Sequence, residues 1–240
     1  MGEPANQKFE STCWSIVISA RGEGADAERA LGELCQTYWP PLYAFARRSG
    51  FSPADAEDFV QGFFAINLKK QIFDSADPDR GKLRTFLLTA FKRHMNDERR
   101  KADAQKRGGG AAIVSFDAAE AETWFESPAS ADESPERAYD RRWALTVLEN
   151  ATLRLRAHFE RRGKLADFEA MRPFLTGAST NADYEAIGEQ IAMKPSSVMV
   201  ALHRLRARFA KALREVVADT HGDESDVDEE LRYLLLVLRE

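Results

Sequence analysis

The chain has 240 residues, a mass of 27.0 kDa and a formal net charge of -5, with 44% hydrophobic and 30% charged residues. That length and apolar share suffice for two small cored domains, and an acidic balance spread evenly would argue against a nucleic-acid partner. Cys13 and Cys35 have neither metal-ligand spacing nor the density of a disulfide framework, so they read as small buried hydrophobes in a reducing cytosol.

The N-terminus MGEPANQKFE lacks a basic segment followed by an apolar one, and no apolar run approaches the roughly 20 residues of a membrane span. A cytoplasmic protein with no membrane partner is expected. Apolar residues recur mostly at helical spacing and Ala, Leu, Glu and Arg dominate, which predicts an all-α fold; only Ala111 to Phe116 suits a short strand.

In chain order, Trp14 to Ala20 is a short apolar segment. A helix is predicted from Ala27 to Trp39, broken by Pro40-Pro41 and resumed from Leu42 to Arg48, with Gly50 ending the run. Ser52 then stands as an N-cap, with Pro53 at the first helical position and Asp55 three residues beyond the cap. Asp55, Glu57 and Asp58 crowd the first turn, where they either complement the helix dipole or form an acidic docking face. Phe59, Val60, Phe63, Phe64 and Leu68 are core candidates, and Asp77 to Gly81 is a turn.

The next segment changes character along its length. Leu83, Phe86, Leu87, Ala90, Phe91 and Met95 form one apolar stripe, and beyond Met95 the stripe stops. Between Lys82 and Arg107 stand nine basic residues against three acidic ones, so positive charge is segregated in an acidic chain. Such a run is either a solvated face or a surface for a polyanion.

From Gly108 to Ser134 the helical pattern is lost, and seven acidic residues with no basic one lie between Asp117 and Glu136, which reads as a flexible linker. Helices are predicted over Pro135 to Arg162 and Leu165 to Leu175. A helix-turn-helix follows, with Ile187 and Ile191 inward on its first helix, a turn at Ala192 to Lys194, and Pro195 opening the second. On that second helix Val198, Leu202, Leu205, Phe209, Leu213 and Val216 share a face, while Arg204, Arg208 and Lys211 point largely the other way. Its N-terminal turns carry Ser196, Ser197, Met199 and Val200, the positions from which such a helix reads base edges, with His203 flanking.

The tail from Glu215 holds nine acidic residues and two basic ones, with Ser225 and Asp228 as a capping box and a stripe of Leu231, Leu234, Leu235 and Leu238. It either completes the core of the second domain or lies over the basic second helix and weakens its hold on DNA. The domains predicted are therefore 10–107, a linker over 108–134, 135–219 and a C-terminal extension over 220–240. His94, His158, His203 and His221 join no pattern with Cys or acids, and no Gly-rich phosphate loop follows a strand, so neither catalysis, a metal nor a cofactor is expected.

Three segments in order resemble a known family: Pro53 to Gln61, then Leu83 to Leu87, then Asp97 followed by Arg99 and Arg100. They are similar to the second conserved region of extracytoplasmic-function sigma factors, members of the sigma-70 family that serve bacterial RNA polymerase. The resemblance implies that Asp55, Glu57, Asp58 and Gln61 face the beta-prime subunit of core polymerase. It also implies that Lys92, Arg93, His94, Asn96, Asp97 and Arg100 lie near the melted minus-ten element; the family usually has Asn where Arg93 stands. The segment around His203-Arg204-Leu205-Arg206 resembles the fourth conserved region, so Ser196, Ser197, Met199, Val200, His203, Arg204 and Arg208 would face the minus-thirty-five element. Met199, Val200 and Ala201 depart from the Lys, Ser and Arg common there, which implies more apolar readout, for instance of thymine methyls. The implied partners are the beta-prime and beta subunits of core polymerase and promoter DNA. Control by an anti-sigma factor or by a regulatory kinase stays open, and a helix-turn-helix regulator acting without polymerase is the alternative.

Overall fold

In the computed structural model residues 24–70, 82–104, 133–220 and 227–239 are described, and every regular element among them is helical. Trp14 to Ala20, Cys13, the turn at Asp77 to Gly81, the strand candidate at Ala111 to Phe116, most of the linker and Ser225 lie outside the described residues.

The first helix, α1, runs unbroken over Ala25–Arg48 with Pro40 and Pro41 inside it. The expected interruption is thus overturned. Each interior proline withholds an N–H and costs about 3 kcal/mol or more. Tyr38, Trp39, Leu42, Tyr43 and Phe45 are nevertheless buried on both sides of the pair. Burial of such side chains stabilises by roughly 1.5–3 kcal/mol apiece, enough to keep the segment helical.

α2 (Pro53–Lys70) buries Ala56, Val60, Phe63 and Phe64, and α3 (Leu83–Ala104) buries Leu83, Leu87, Phe91 and Met95. The three helices meet in an aromatic cluster. Phe91 lies edge-on to Phe45 and to Phe63, with ring centroids 6.2 and 5.4 Å apart. α4 (Pro135–Glu160) follows; near its start Tyr139 donates its hydroxyl to the Arg84 carbonyl at 2.9 Å, and Trp143 stacks on Tyr38 with centroids 4.9 Å apart.

The described residues up to Ala144 form one unit together with those from Ala218 onward, and Leu145–Val217 form a second. In the second unit Val147, Ala151, Leu155 and Phe159 of α4 supply core side chains. α5 (Leu165–Met171) continues into a 3-10 turn over Arg172–Phe174. α6 (Asn181–Ile191) opens with a capping box: the Asp183 N–H donates to the Thr180 hydroxyl at 3.3 Å and the Thr180 N–H to the Asp183 carboxylate at 2.6 Å. α7 (Pro195–Ala218) buries Val198, Leu202, Leu205, Phe209 and Val216 as its spacing predicts, with Ala212 in the core and Leu213 half-buried.

α8 (Val227–Arg239) belongs to the first unit. Its buried positions are Val227, Glu230, Leu234 and Val237, while Leu235 is 51% exposed. The predicted leucine stripe is therefore rotated, because a carboxylate takes a core position. Glu230 is fully buried and accepts from Lys82 Nζ and Arg84 Nε at 2.6 Å each. These contacts set α8 in the first unit's core rather than the second domain's: its acid answers cations at the start of α3.

Candidate nucleic-acid and protein-binding surfaces

The acidic start of α2 is built on a cap. The Asp55 N–H donates to the Ser52 hydroxyl at 3.1 Å, and that hydroxyl donates to the Asp55 carboxylate at 2.6 Å. Asp55 and Asp58 are exposed; Glu57 and Gln61 are half-buried and joined by a 2.8 Å hydrogen bond from the Gln61 amide. Three carboxylates thus lie within the first turns of one helix. Asp55 owes part of its position to capping.

α3 divides as its sequence does. Its stripe packs inward, while Arg93, Asn96, Asp97, Arg99 and Arg100 are exposed. Arg100 pairs with Asp97 at 3.0 Å and Lys101 with Glu98 at 2.7 Å, so two of the cations are held by acids of their own helix. His94 differs from its neighbours. Its ring lies 5.9 Å from that of Phe63, its Nε2 is buried without a hydrogen-bond partner, and a Cβ at Gly62 would sit 3.4 Å from that atom. Burial holds the imidazole below its usual range against the opposing pull of Glu98. His94, expected beside a DNA strand, is half-buried with its ring against Phe63 and Gly62 of α2.

Lys92 pairs with Glu136 at 2.6 Å and lies 5.2 Å over the Phe45 ring. Beside it, Phe45, Phe51, Asn96, Arg99 and Glu136 line a cleft of about 290 Å³. Lys92 holds the Glu136 carboxyl below its usual value, chiefly through their hydrogen bond. Glu133 is bound by Arg141 at 2.8 Å. Sequence reading missed Glu133 and Glu136 by treating them as linker charge; Arg137 and Arg141 one turn on were the available signal.

In the second unit the turn between α6 and α7 is tight. Ala192 is left-handed, with φ 54°, and the Met193 N–H donates to the Gly188 carbonyl at 2.9 Å. On α7 Ser196, Ser197, His203, Arg204 and Arg208 are exposed, as are Met199 and Val200 at 50% and 44%. Arg206 is different: its guanidinium donates to the carbonyls of Phe174 and Gly177 at 2.9 Å and to the Ser179 hydroxyl at 2.8 Å. It fastens the loop before α6 and is a structural cation.

Other chemistry finds no constellation. No group of His, Cys, Asp and Glu among the described residues could hold a metal, and no described helix is long and apolar enough to cross a membrane. Burial pushes the Cys35 thiol up to about 12, which keeps it protonated and unreactive at neutral pH.

Part of this chain, with its carboxylate-rich helix start and a helix that is apolar inside and cationic outside, is similar to a known domain family. Residues 34–105, which span most of α1 and all of α2 and α3, match the family model Sigma-70 region 2. The match supports a sigma-70 family sigma factor, a class of transcription initiation factors rather than enzymes, and indicates a role in promoter recognition by RNA polymerase. Region 2 domains contact core polymerase and promoter DNA. Neither a curated protein nor a solved structure matches the chain.

Proposed function

We propose that the chain is a sigma factor of the extracytoplasmic-function type that directs RNA polymerase to a specific set of promoters. Asp55, Glu57, Asp58 and Gln61 dock α2 on the beta-prime subunit of core polymerase. Lys92, Arg93, Asn96, Asp97 and Arg100 take the melted minus-ten strand, and His94 acts from inside by holding α3 on α2. Ser196, Ser197, Met199, Val200, His203, Arg204 and Arg208 of α7 meet the minus-thirty-five element. The roles divide between 10–107 and 135–219, with 108–134 as the connection.

The observation that supports this reading is the one-sidedness of α3 within the region 2 match. Leu83, Leu87, Phe91 and Met95 use up its inner face, which leaves Arg93, Asn96, Asp97 and Arg100 in solvent without a packing role. Cations neutralise phosphate, and side-chain amides and carboxylates suit the edges of unstacked bases.

Asp58→Lys is the test, chosen over Asp55 because Asp55 also caps α2. A like-charge clash at a complementary interface costs several kcal/mol, so core polymerase should bind the variant more than about tenfold more weakly. Unchanged affinity, together with no new start sites when the wild-type chain is added to core polymerase on genomic templates, would sink the proposal.

A further inference from the structure

Within the second unit the last turn of α4, α5 and the N-terminal half of α7 enclose a cleft of about 670 Å³. Arg162, Lys164, Arg204 and Arg208 line it, against the single carboxylate of Asp167. None of the four cations has an ion-pair partner among the described residues, whereas Arg84, Arg141 and Arg156 each hold a carboxylate. His158 lies in the same wall with its Nε2 buried and unpartnered. Burial first, then the guanidiniums of Arg162, Arg208 and Arg161, hold this imidazole below its usual range.

Four like charges gathered around a single carboxylate repel one another, and the repulsion becomes an attraction once a polyanion enters. Arg204 and Arg208 belong both to the cleft and to the exposed face of α7. An anion in the cleft is therefore in reach of the helix proposed to meet base pairs. A lone small anion would leave most of this volume empty, whereas a nucleic-acid strand carries one charge per about 3.4 Å and can meet several cations in succession.

We propose that the cleft holds the sugar-phosphate backbone of the duplex whose major groove receives α7. Arg162 and Lys164, which lie outside the helix-turn-helix, then ligate phosphates beside Arg204 and Arg208, and His158 supplies a neutral ring nitrogen at the same wall. This rests on the reading of α7 as a DNA-contacting helix.

The test measures binding of the full-length chain, over a potassium chloride series, to a duplex that the wild-type chain selects from a random-sequence pool and to a scrambled duplex. Losing two phosphate contacts should make the slope of log affinity against log salt shallower by roughly 1.8. Arg162→Gln with Lys164→Gln should do so, and should weaken both duplexes by a similar factor, since phosphate contacts carry no sequence information. Arg172→Gln, in the same unit but outside the cleft, should keep the wild-type slope; circular dichroism verifies that each variant keeps its helicity. A wild-type slope in the double variant, with Arg204→Gln losing affinity, overturns the cleft and leaves the reading of α7 standing. An equal loss of slope in Arg172→Gln also overturns it, since net charge would then be the cause. If no duplex is selected, or neither Arg204→Gln nor the double variant changes binding, the reading of α7 falls and the cleft with it.

Discussion

Gly188 and Ala192 decide how closely the end of α6 approaches the start of α7. A Cβ at Gly188 would come within 2.5 Å of the Met193 carbonyl oxygen, a backbone atom that cannot swing aside. Gly188→Ala should therefore destabilise the second unit by about 1–3 kcal/mol, as overpacking does. Ala192 poses the opposite case. A left-handed non-glycine residue costs about 1–2 kcal/mol, partly offset because glycine loses more backbone freedom on folding. Ala192→Gly should thus raise the melting temperature, by up to roughly 1 kcal/mol of stability; a calorimetric scan showing a lower midpoint would contradict the strain. The turn at Ala192 to Lys194 was legible from Pro195 and the end of the apolar spacing. That its left-handed residue is an alanine, and that Gly188 rather than the turn supplies the glycine, could not be read from spacing alone.

At the scale of elements, the docking of α8 depends on a charge at a core position. Burial pushes the Glu230 carboxyl up, but Arg84 and then Lys82 outweigh it, and the group stays below its ordinary 4.5. The unfolded chain takes up this proton near 4.5 and the folded chain only at lower pH. The contribution is therefore complete above 4.5 and is lost as pH falls through the folded value. Glu230→Gln leaves Lys82 unpaired and should weaken α8 by about 3 kcal/mol at neutral pH, read as loss of hydrogen-exchange protection along Val227–Arg239. His94 gives α2 and α3 an earlier acid response. Its unfolded ring protonates near 6.5 and its buried one lower, so protection of these helices should begin to fall below pH 6.5, and His94→Gln should remove that first step alone. Helix existence was largely legible, because α2, α3 and α7 bury the stripes their spacing prescribes. The register of α8 was not: pattern reading assigns leucines inward and acids outward, and the partners that reverse this stand far off in sequence.

For the whole molecule, two units with separate cores imply that perturbations stay where they are made. Removing the Arg206 hydrogen bonds from the carbonyls of Phe174 and Gly177 should cost about 2 kcal/mol, since bonds from a charged donor are the stronger kind. Arg206→Ala should accordingly loosen exchange protection over 165–217 and leave α1 to α3 unchanged, whereas Glu230→Gln should do the reverse. Protection lost equally everywhere would mean that the two cores melt as one. The segregation of cations that the sequence displays survives in three dimensions on α3 and α7. The acids of Glu133 and Glu136 were hidden because a composition shift marks where a linker begins better than where it ends.

Because α8 joins the first unit, that unit is assembled from stretches on either side of the second. Translation delivers Arg84 to the ribosomal exit 146 residues before its partner Glu230. Arg84 can meet Asp140 well before α8 is made, whereas Lys82 waits for Glu230. The earlier-made unit therefore stays one helix short until α8 has left the ribosome.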